Sequence, residues 1–467
     1  MTKKRLIESK ELSEKDTSTI KLTRITPITF DEVAAIIQSG NSEKLKELIE
    51  SGRITDINMN NDDNESLLMI ACKSGFIECA IVLIDNHANI NYQNCDHNTP
   101  GDISFGVFSD SVLISACLSG NVNMLRVIVE RGVTFNDGII CDLFKSDEIV
   151  CNNEIATALV GYIQNVNWKG GIKSSFLSLA CRAGNVTIAR LLIERGALLG
   201  DVYAFVIASQ LGHLEVVKLL LKWVDSGIPP VTLKDALRFA SKYGHLEVVR
   251  CLLEYVKDTD ALNRALYEAV ENNRLDIAGL LFDSGVGFTS SSAVSYITVW
   301  LVACLRGSPD MVSLFLDRGA DPNAVDANGG SPFRAALPHP NILRILLEHG
   351  ADPSRALDGC TPLLALLQRR PTPSEYMQSV AVLLEYGADP NIARADTGET
   401  VLMVAALDLD VDLIKLLLEH GADVTQMNTA GQTVLDMLGR TRKYGEVVDL
   451  CTQYIECNKP GAKLLLK

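Results

Sequence analysis

The nearest approach to a reactive constellation is His87, Cys95 and His97, three soft donors within eleven residues and a chemistry suited to zinc. His87 stands where corresponding turns further along the chain carry glycine, so a surface coincidence is the simpler reading. The 12 cysteines include no C-x-x-C pair. Cys72, Cys117, Cys181 and Cys304 each follow an alanine at one place in a recurring pattern. Equivalent places on packed helices lie about 8–10 Å apart, beyond the roughly 7 Å reach of a disulfide. These four are therefore expected as small buried apolar residues in a reducing compartment. Cys451 and Cys457, six apart on a terminal helix, fall on different sides of it. Asn64-Glu-Ser66 and Asn185-Val-Thr187 match the glycosylation sequon but lie inside repeats, where they are expected to go unused. There is no phosphate-binding glycine loop, H-E-x-x-H or nucleophile elbow. No catalytic residue, metal or cofactor is expected, and the chain does not read as an enzyme.

What must position any functional residue is a repeat. Gly212-His-Leu-Glu-Val-Val-Lys-Leu-Leu-Leu221 returns as Gly244-His-Leu-Glu-Val-Val-Arg-Cys-Leu-Leu253, and looser copies start at Gly120 and Gly184. A period near 33 marks a stacked solenoid, in which each unit contacts only its neighbours. In the unit at 235–257 a short helix precedes Gly244, whose tolerance of left-handed backbone ends it. The second helix carries Glu247, Arg250 and Glu254 at i, i+3 and i+7, a solvated stripe, and is apolar elsewhere, so it is sandwiched between layers. In this register first helices end near Gly40, Gly75, Gly120, Cys151, Gly184, Gly212, Gly244, Asn273, Gly307 and Pro338, then Arg370, Leu409 and Arg442, giving about 13 units over residues 29–457. Residues 1–28 are polar and read as a disordered tail without a secretory signal, and 458–467 as a tail or truncation point. Residues 92–110 form an inserted loop, 370–376 a lengthened one, and 139–170 a degenerate unit that would serve as a joint.

The C-terminal third adds a turn module: Gly319-Ala-Asp-Pro-Asn323, Gly350-Ala-Asp-Pro353, Gly387-Ala-Asp-Pro-Asn391 and Gly421-Ala-Asp423. Asn328-Gly329 and Thr397-Gly398 suit tight hairpins, and Ser331-Pro332, Thr361-Pro362 and Thr400 suit helix starts. With Gly-His between helices, this combination resembles the ankyrin repeat family over about nine-tenths of the chain. The resemblance implies an all-α ankyrin solenoid, elongated and curved, of helix-turn-helix units joined by β-hairpins. The units ending at Gly212 and Asn273 are too short for full hairpins, so fingers are in doubt between 197 and 290, and the family's Thr-Pro-Leu-His histidine is absent throughout.

The resemblance also implies a binding surface: hairpin tips, and the residue pair before each Gly-His. By register the pairs include Lys73, Arg182, Gln210 with Leu211, Lys242 with Tyr243, Glu271 with Asn272, and Leu305 with Arg306; the tips include Asn328, Asp358, Asp396 and Thr397. Cations outnumber acids in the pairs although the chain's net charge is −15, so the expected ligand is a protein, with an acidic or phosphorylated extended segment gripped by arginine and anchored on Leu211, Tyr243 and Leu305. The first 30 residues hold seven Lys/Arg against four Asp/Glu, so the folded part is more acidic still, which argues against nucleic-acid binding. No apolar run reaches the roughly 18 residues of a membrane span. The expected role is a monomeric cytoplasmic or nuclear scaffold or adaptor; the alternative is a regulatory or targeting subunit that occludes an enzyme or channel. Asn323 and Asn391 are expected to hold their hairpins through side-chain hydrogen bonds.

Overall fold

Many helix starts are written in the sequence as a polar side chain ahead of an apolar run. In the computed structural model Ser66, Ser111 and Thr400 accept from the backbone amides of Met69, Ile114 and Met403, satisfying donors the helix cannot. The structure describes residues 28–92, 111–169, 175–224, 228–286, 296–326, 328–356, 360–369, 373–438 and 445–458. The expected N-terminal tail, the inserted loop and the C-terminal tail thus lie largely outside the described residues.

Two compact bodies divide the chain, residues up to Phe176 and residues from Leu177. The first contains α1 (Phe30–Gln38), α2 (Ser42–Glu50), α3 (Leu67–Lys73), α4 (Ile77–Asp85), α5 (Val112–Leu118), α6 (Val122–Glu130), α7 (Asp137–Leu143), α8 (Asp147–Cys151) and α9 (Asn153–Tyr162). At the start of the second come α10 (Phe176–Arg182), α11 (Val186–Glu194), α12 (Val202–Gln210), α13 (Leu214–Leu221), α14 (Pro230–Tyr243), α15 (Leu246–Leu252), α16 (Thr259–Glu271) and α17 (Leu275–Asp283). It continues with α18 (Tyr296–Arg306), α19 (Pro309–Asp317), α20 (Pro332–Ala335), α21 (Pro340–Glu348), α22 (Pro362–Arg369) and α23 (Pro373–Glu385). It closes with α24 (Val401–Leu407), α25 (Val411–Glu419), α26 (Val434–Leu438) and α27 (Gly445–Asn458). Apart from α7 these are thirteen pairs, and first helices stack on first helices, as α14 does between α12 and α16.

First helix α3 is buried almost all round, every residue from Leu67 to Cys72 being buried. Cys72, Cys117, Cys181 and Cys304 are buried free thiols, as their apolar surroundings require. The turn after a first helix is left-handed in most repeats, with φ +77° at Gly212. A methyl there would collide with the His245 ring of the next repeat. Leu409 holds the same place at φ +59°, a conformation that costs a branched residue about 1–2 kcal/mol. Leu409→Gly is expected to stabilise the C-terminal body by about 1 kcal/mol, read as a higher urea midpoint.

The fingers differ from regular hairpins. Among the described residues no strand forms; single antiparallel bridges pair Asn60 with Ser66, Lys169 with Ser175, and Ala393 with Thr400. Asparagine cross-links replace a ladder. Asn323 donates to the Gly350 carbonyl (2.9 Å) and accepts from the Asp352 amide (2.9 Å), and Asn391 treats Gly421 and Asp423 alike (3.3 and 2.7 Å). Where fingers were in doubt, α14 and α16 are lengthened to 14 and 13 residues and start at Pro230 and after the capping Asp258. In the degenerate unit α8 packs on α5 and α9 on α6, so α7 precedes a complete helix pair, in the stretch where other repeats carry their connection. Among the described residues no helix is long and apolar enough to cross a membrane.

Candidate functional site

Helix ends carry the candidate site because there the backbone turns away and side chains are left in solvent. In the C-terminal body α12, α14, α16 and α18 stack in order, and their last residues form one row. Leu211 and Tyr243, each just before a turn glycine, are each 43% exposed, and Leu305, one place earlier in its repeat, is 53% exposed. Burying such groups is worth about 25 cal/mol per Å² of apolar surface.

The charges of this row are spent within the chain. Glu268, on α16, accepts from Arg238 (3.1 Å) and lies 3.8 Å from Lys242, both on α14. Lys234 reaches Asp258 at 2.6 Å, and Arg306 is paired with Glu271. In the N-terminal body Lys73 is hydrogen-bonded to Glu65, and that bond is the main cause holding the Glu65 carboxyl below its ordinary range. Arg182 lends its carbonyl to the ring of His213 at 2.9 Å. Basic α14 thus meets acidic α16 across the interface that lacks fingers. Glu268→Ala would leave Arg238 and Lys242 facing each other half-buried. It is expected to cost about 1–2 kcal/mol in chemical denaturation, against a smaller loss for Glu268→Gln.

The second contact between neighbours comes from the residue after the turn that ends a first helix. His213, His245 and His339 place Nε2 2.9, 2.8 and 3.0 Å from the carbonyls of Arg182, Gln210 and Leu305 in the preceding repeat. A carbonyl only accepts, so Nε2 carries the proton. Arg274 does the same toward Lys242 at 3.3 Å. Where this position is Asn41, Asn121, Asn152 or Asn185, the side chain caps its own second helix, and Asn121 also donates to the Gly75 carbonyl of the preceding repeat (3.5 Å). Gln210, Lys242 and Leu305 are thereby fixed through their backbone as well as their packing.

The remaining sequence-derived candidates are less available. The Asn272 amide donates to the Glu268 carbonyl (2.8 Å). The Asn328 backbone amide donates to Asp326 (2.8 Å), closing that tip. Asp396 accepts from the Thr397 amide (2.9 Å), and the Thr397 carbonyl takes both the amide and hydroxyl of Thr429 in the next finger (3.0 and 2.8 Å). Asp358, like Cys95 and His97, lies outside the described residues. His87 has φ +70°, the turn conformation its glycine place demands. Among the described residues no three His, Cys, Asp or Glu side chains gather as a metal site. Sequence reasoning missed Glu268, whose signal is a carboxylate 30 residues after Arg238, one repeat along the same face.

A family model described as ankyrin repeats (three copies) matches residues 33–138, 205–292, 299–394 and 372–460. The mouse B-cell lymphoma 3 protein homolog is 30% identical over 141 residues, 29% of this chain and 30% of its own length. Human ankyrin repeat and SOCS box protein 6 is 30% identical over 190 residues, 36% of this chain and 45% of its own length. The Arabidopsis thaliana E3 ubiquitin-protein ligase XBAT32 is 30% identical over 186 residues, 38% and 33% of the two chains. The chain therefore spans less than half the length of each of these relatives.

Proposed function

Since the chain belongs to the ankyrin repeat family, whose repeats are protein-interaction modules, we propose that it is a non-catalytic scaffold or adaptor that grips an extended segment of a partner protein. The observation that carries this reading is the row of Leu211, Tyr243 and Leu305, exposed at the ends of α12, α14 and α18 in one stack, where Lys242 and Arg306 are already paired. Large apolar groups held on rigid elements are what interface hot spots consist of. An acidic or phosphorylated segment would have to compete with Glu65, Glu268 and Glu271 for Lys73, Lys242 and Arg306. The reading therefore rests on apolar anchors, with the cations as a rim.

Partners captured on the full chain and identified by mass spectrometry would supply the ligand for a titration. Leu211→Ser/Tyr243→Ser/Leu305→Ser is expected to weaken binding at least ~30-fold, at about 2 kcal/mol or more for the dominant anchor. Arg182→Glu/Lys242→Glu/Arg306→Glu is expected to weaken it less. Unchanged affinity in the apolar triple variant, with its helical content intact, would overturn the assignment of this face.

A further inference from the structure

The outward face of the second helices carries a short charge pattern at positions i, i+3 and i+7. It reads Glu43, Lys46, Glu50 on α2; Glu247, Arg250, Glu254 beginning on α15; and Asp412, Lys415, Glu419 on α25. The middle place is also cationic in α6 (Arg126), α11 (Arg190), α13 (Lys218) and α21 (Arg344). Of these cations, Lys46 lies 3.9 Å from Glu50, Lys218 2.8 Å from Glu215, Arg250 3.6 Å from Glu247, and Arg344 3.0 Å from Glu385 of the neighbouring repeat. In α4 and α23 the place is filled singly by Ile81 and Ala381.

Two adjacent helices lose the cation together and keep both acids. α17 reads Asp276, Gly279, Asp283, and α19 reads Asp310, Ser313, Asp317. Between them and α15 lies a groove of about 600 Å³, with Leu246, Leu275, Leu280 and Leu314 in its lining and the four aspartates along it. Asp283 is held by Arg318 at 2.8 Å, and Arg250 stands at one edge, turned to its own Glu247. Asp276, Asp310 and Asp317 have no ion pair among the described residues.

Gly279 has no conformational reason to be glycine. It sits inside a helix, its φ is not left-handed, and an added Cβ would meet nothing within 4 Å. Glycine at such a place costs about 1 kcal/mol relative to alanine. What it provides is room beside unneutralised carboxylates, over an apolar floor.

We propose that this groove is a second docking surface, for a basic segment of a partner protein that also carries aliphatic side chains. An arginine of the partner enters above Gly279 and Ser313, taking the position that Arg250 and Arg344 hold in neighbouring repeats, and its carboxylate partners are Asp276 and Asp310. Aliphatic neighbours of that arginine lie on Leu275 and Leu314. The surface belongs to second helices, so it is separate from the row at the first-helix ends and stands or falls independently of it.

The test is fluorescence anisotropy of a labelled alternating leucine–arginine peptide titrated with the full chain at low and physiological salt. The wild type is expected to bind it, more weakly as salt rises. Gly279→Arg/Ser313→Arg restores the neighbours' pattern and is expected to lower affinity at least ~tenfold while raising the thermal midpoint, because arginine is the better helix former. Asp276→Asn/Asp310→Asn, which leaves the packing alone, is expected to lower it similarly. Asp412→Asn/Glu419→Gln on α25 is expected to change nothing. No binding by the wild type, full binding by Gly279→Arg/Ser313→Arg, or an equal loss in the α25 variant would overturn the proposal, the last by showing that diffuse negative charge holds the peptide.

Discussion

Trp300→Ala is expected to destabilise the C-terminal body by about 3–5 kcal/mol, the largest loss from any single side chain considered. Trp300 is fully buried on α18, its ring stacked on Phe315 of α19 with centroids 5.0 Å apart and planes 10° from parallel. Phe315 in turn meets Phe282 of α17 edge-on at 5.0 Å. The indole Nε1 donates to the Asp321 carbonyl at 3.1 Å, tying the following finger to the same cluster. Removing the indole leaves a cavity among three helices and an unpaired carbonyl. In an array held by neighbour contacts, such a loss at one interface divides the cooperative unit. Urea denaturation should therefore show a lower first midpoint and a broadened or two-step transition. A cost below about 1 kcal/mol would mean that the cluster collapses around the gap and does not organise this stretch.

The second large effect is alkaline. Burial pushes the Cys72 and Cys117 thiols up to about 12, and those of Cys181 and Cys304 higher still. Their folded values thus exceed the unfolded value of roughly 9, so their contribution is complete below pH 9 and is lost as pH climbs toward the folded value. At pH 10 each thiol withdraws about 1.4 kcal/mol, so Cys181 and Cys304 together remove about 3 kcal/mol from the C-terminal body. The urea midpoint should fall between pH 8 and 10.5, and the slope should flatten in Cys181→Ala/Cys304→Ala. An identical slope in that variant would assign the loss to other groups. At neutral pH the exposed Cys151 should react with a thiol reagent while these four stay protected.

The sequence makes the repeat legible wherever a local rule acts. Turn glycines mark where first helices end because left-handed backbone admits few other residues, and even Asn273 and Leu409 were placed by register and adopt positive φ. Asn323 and Asn391 were legible as finger residues because the turn module recurs around them. Charge pairing was not. Lys242 and Arg306 read as free cations when each repeat is considered alone, and only stacking brings Glu268 and Glu271 opposite them. Nor was α7 foreseen, at the edge of the degenerate unit: Asn136 caps the Ile139 amide, and Ile140, Cys141 and Leu143 find a buried place. The groove beside Gly279 lay hidden for the opposite reason, since a stripe judged solvated gains meaning only where two neighbours break it together.

His213, His245 and His339, each at the turn between the two helices of its repeat, all reach backward to a carbonyl of the repeat before. Assembly on the ribosome thereby acquires a direction. A repeat that has just emerged keeps a carbonyl of its first helix without this partner until its successor arrives, and each newcomer closes onto a surface already formed. A chain interrupted after Gln210 would lose the ring that clasps Gln210, whereas one begun at Leu211 would merely carry an idle imidazole at His245. Shortening from the two ends is thus unequal by construction, with the C-terminal cut exposing an acceptor that the N-terminal cut does not.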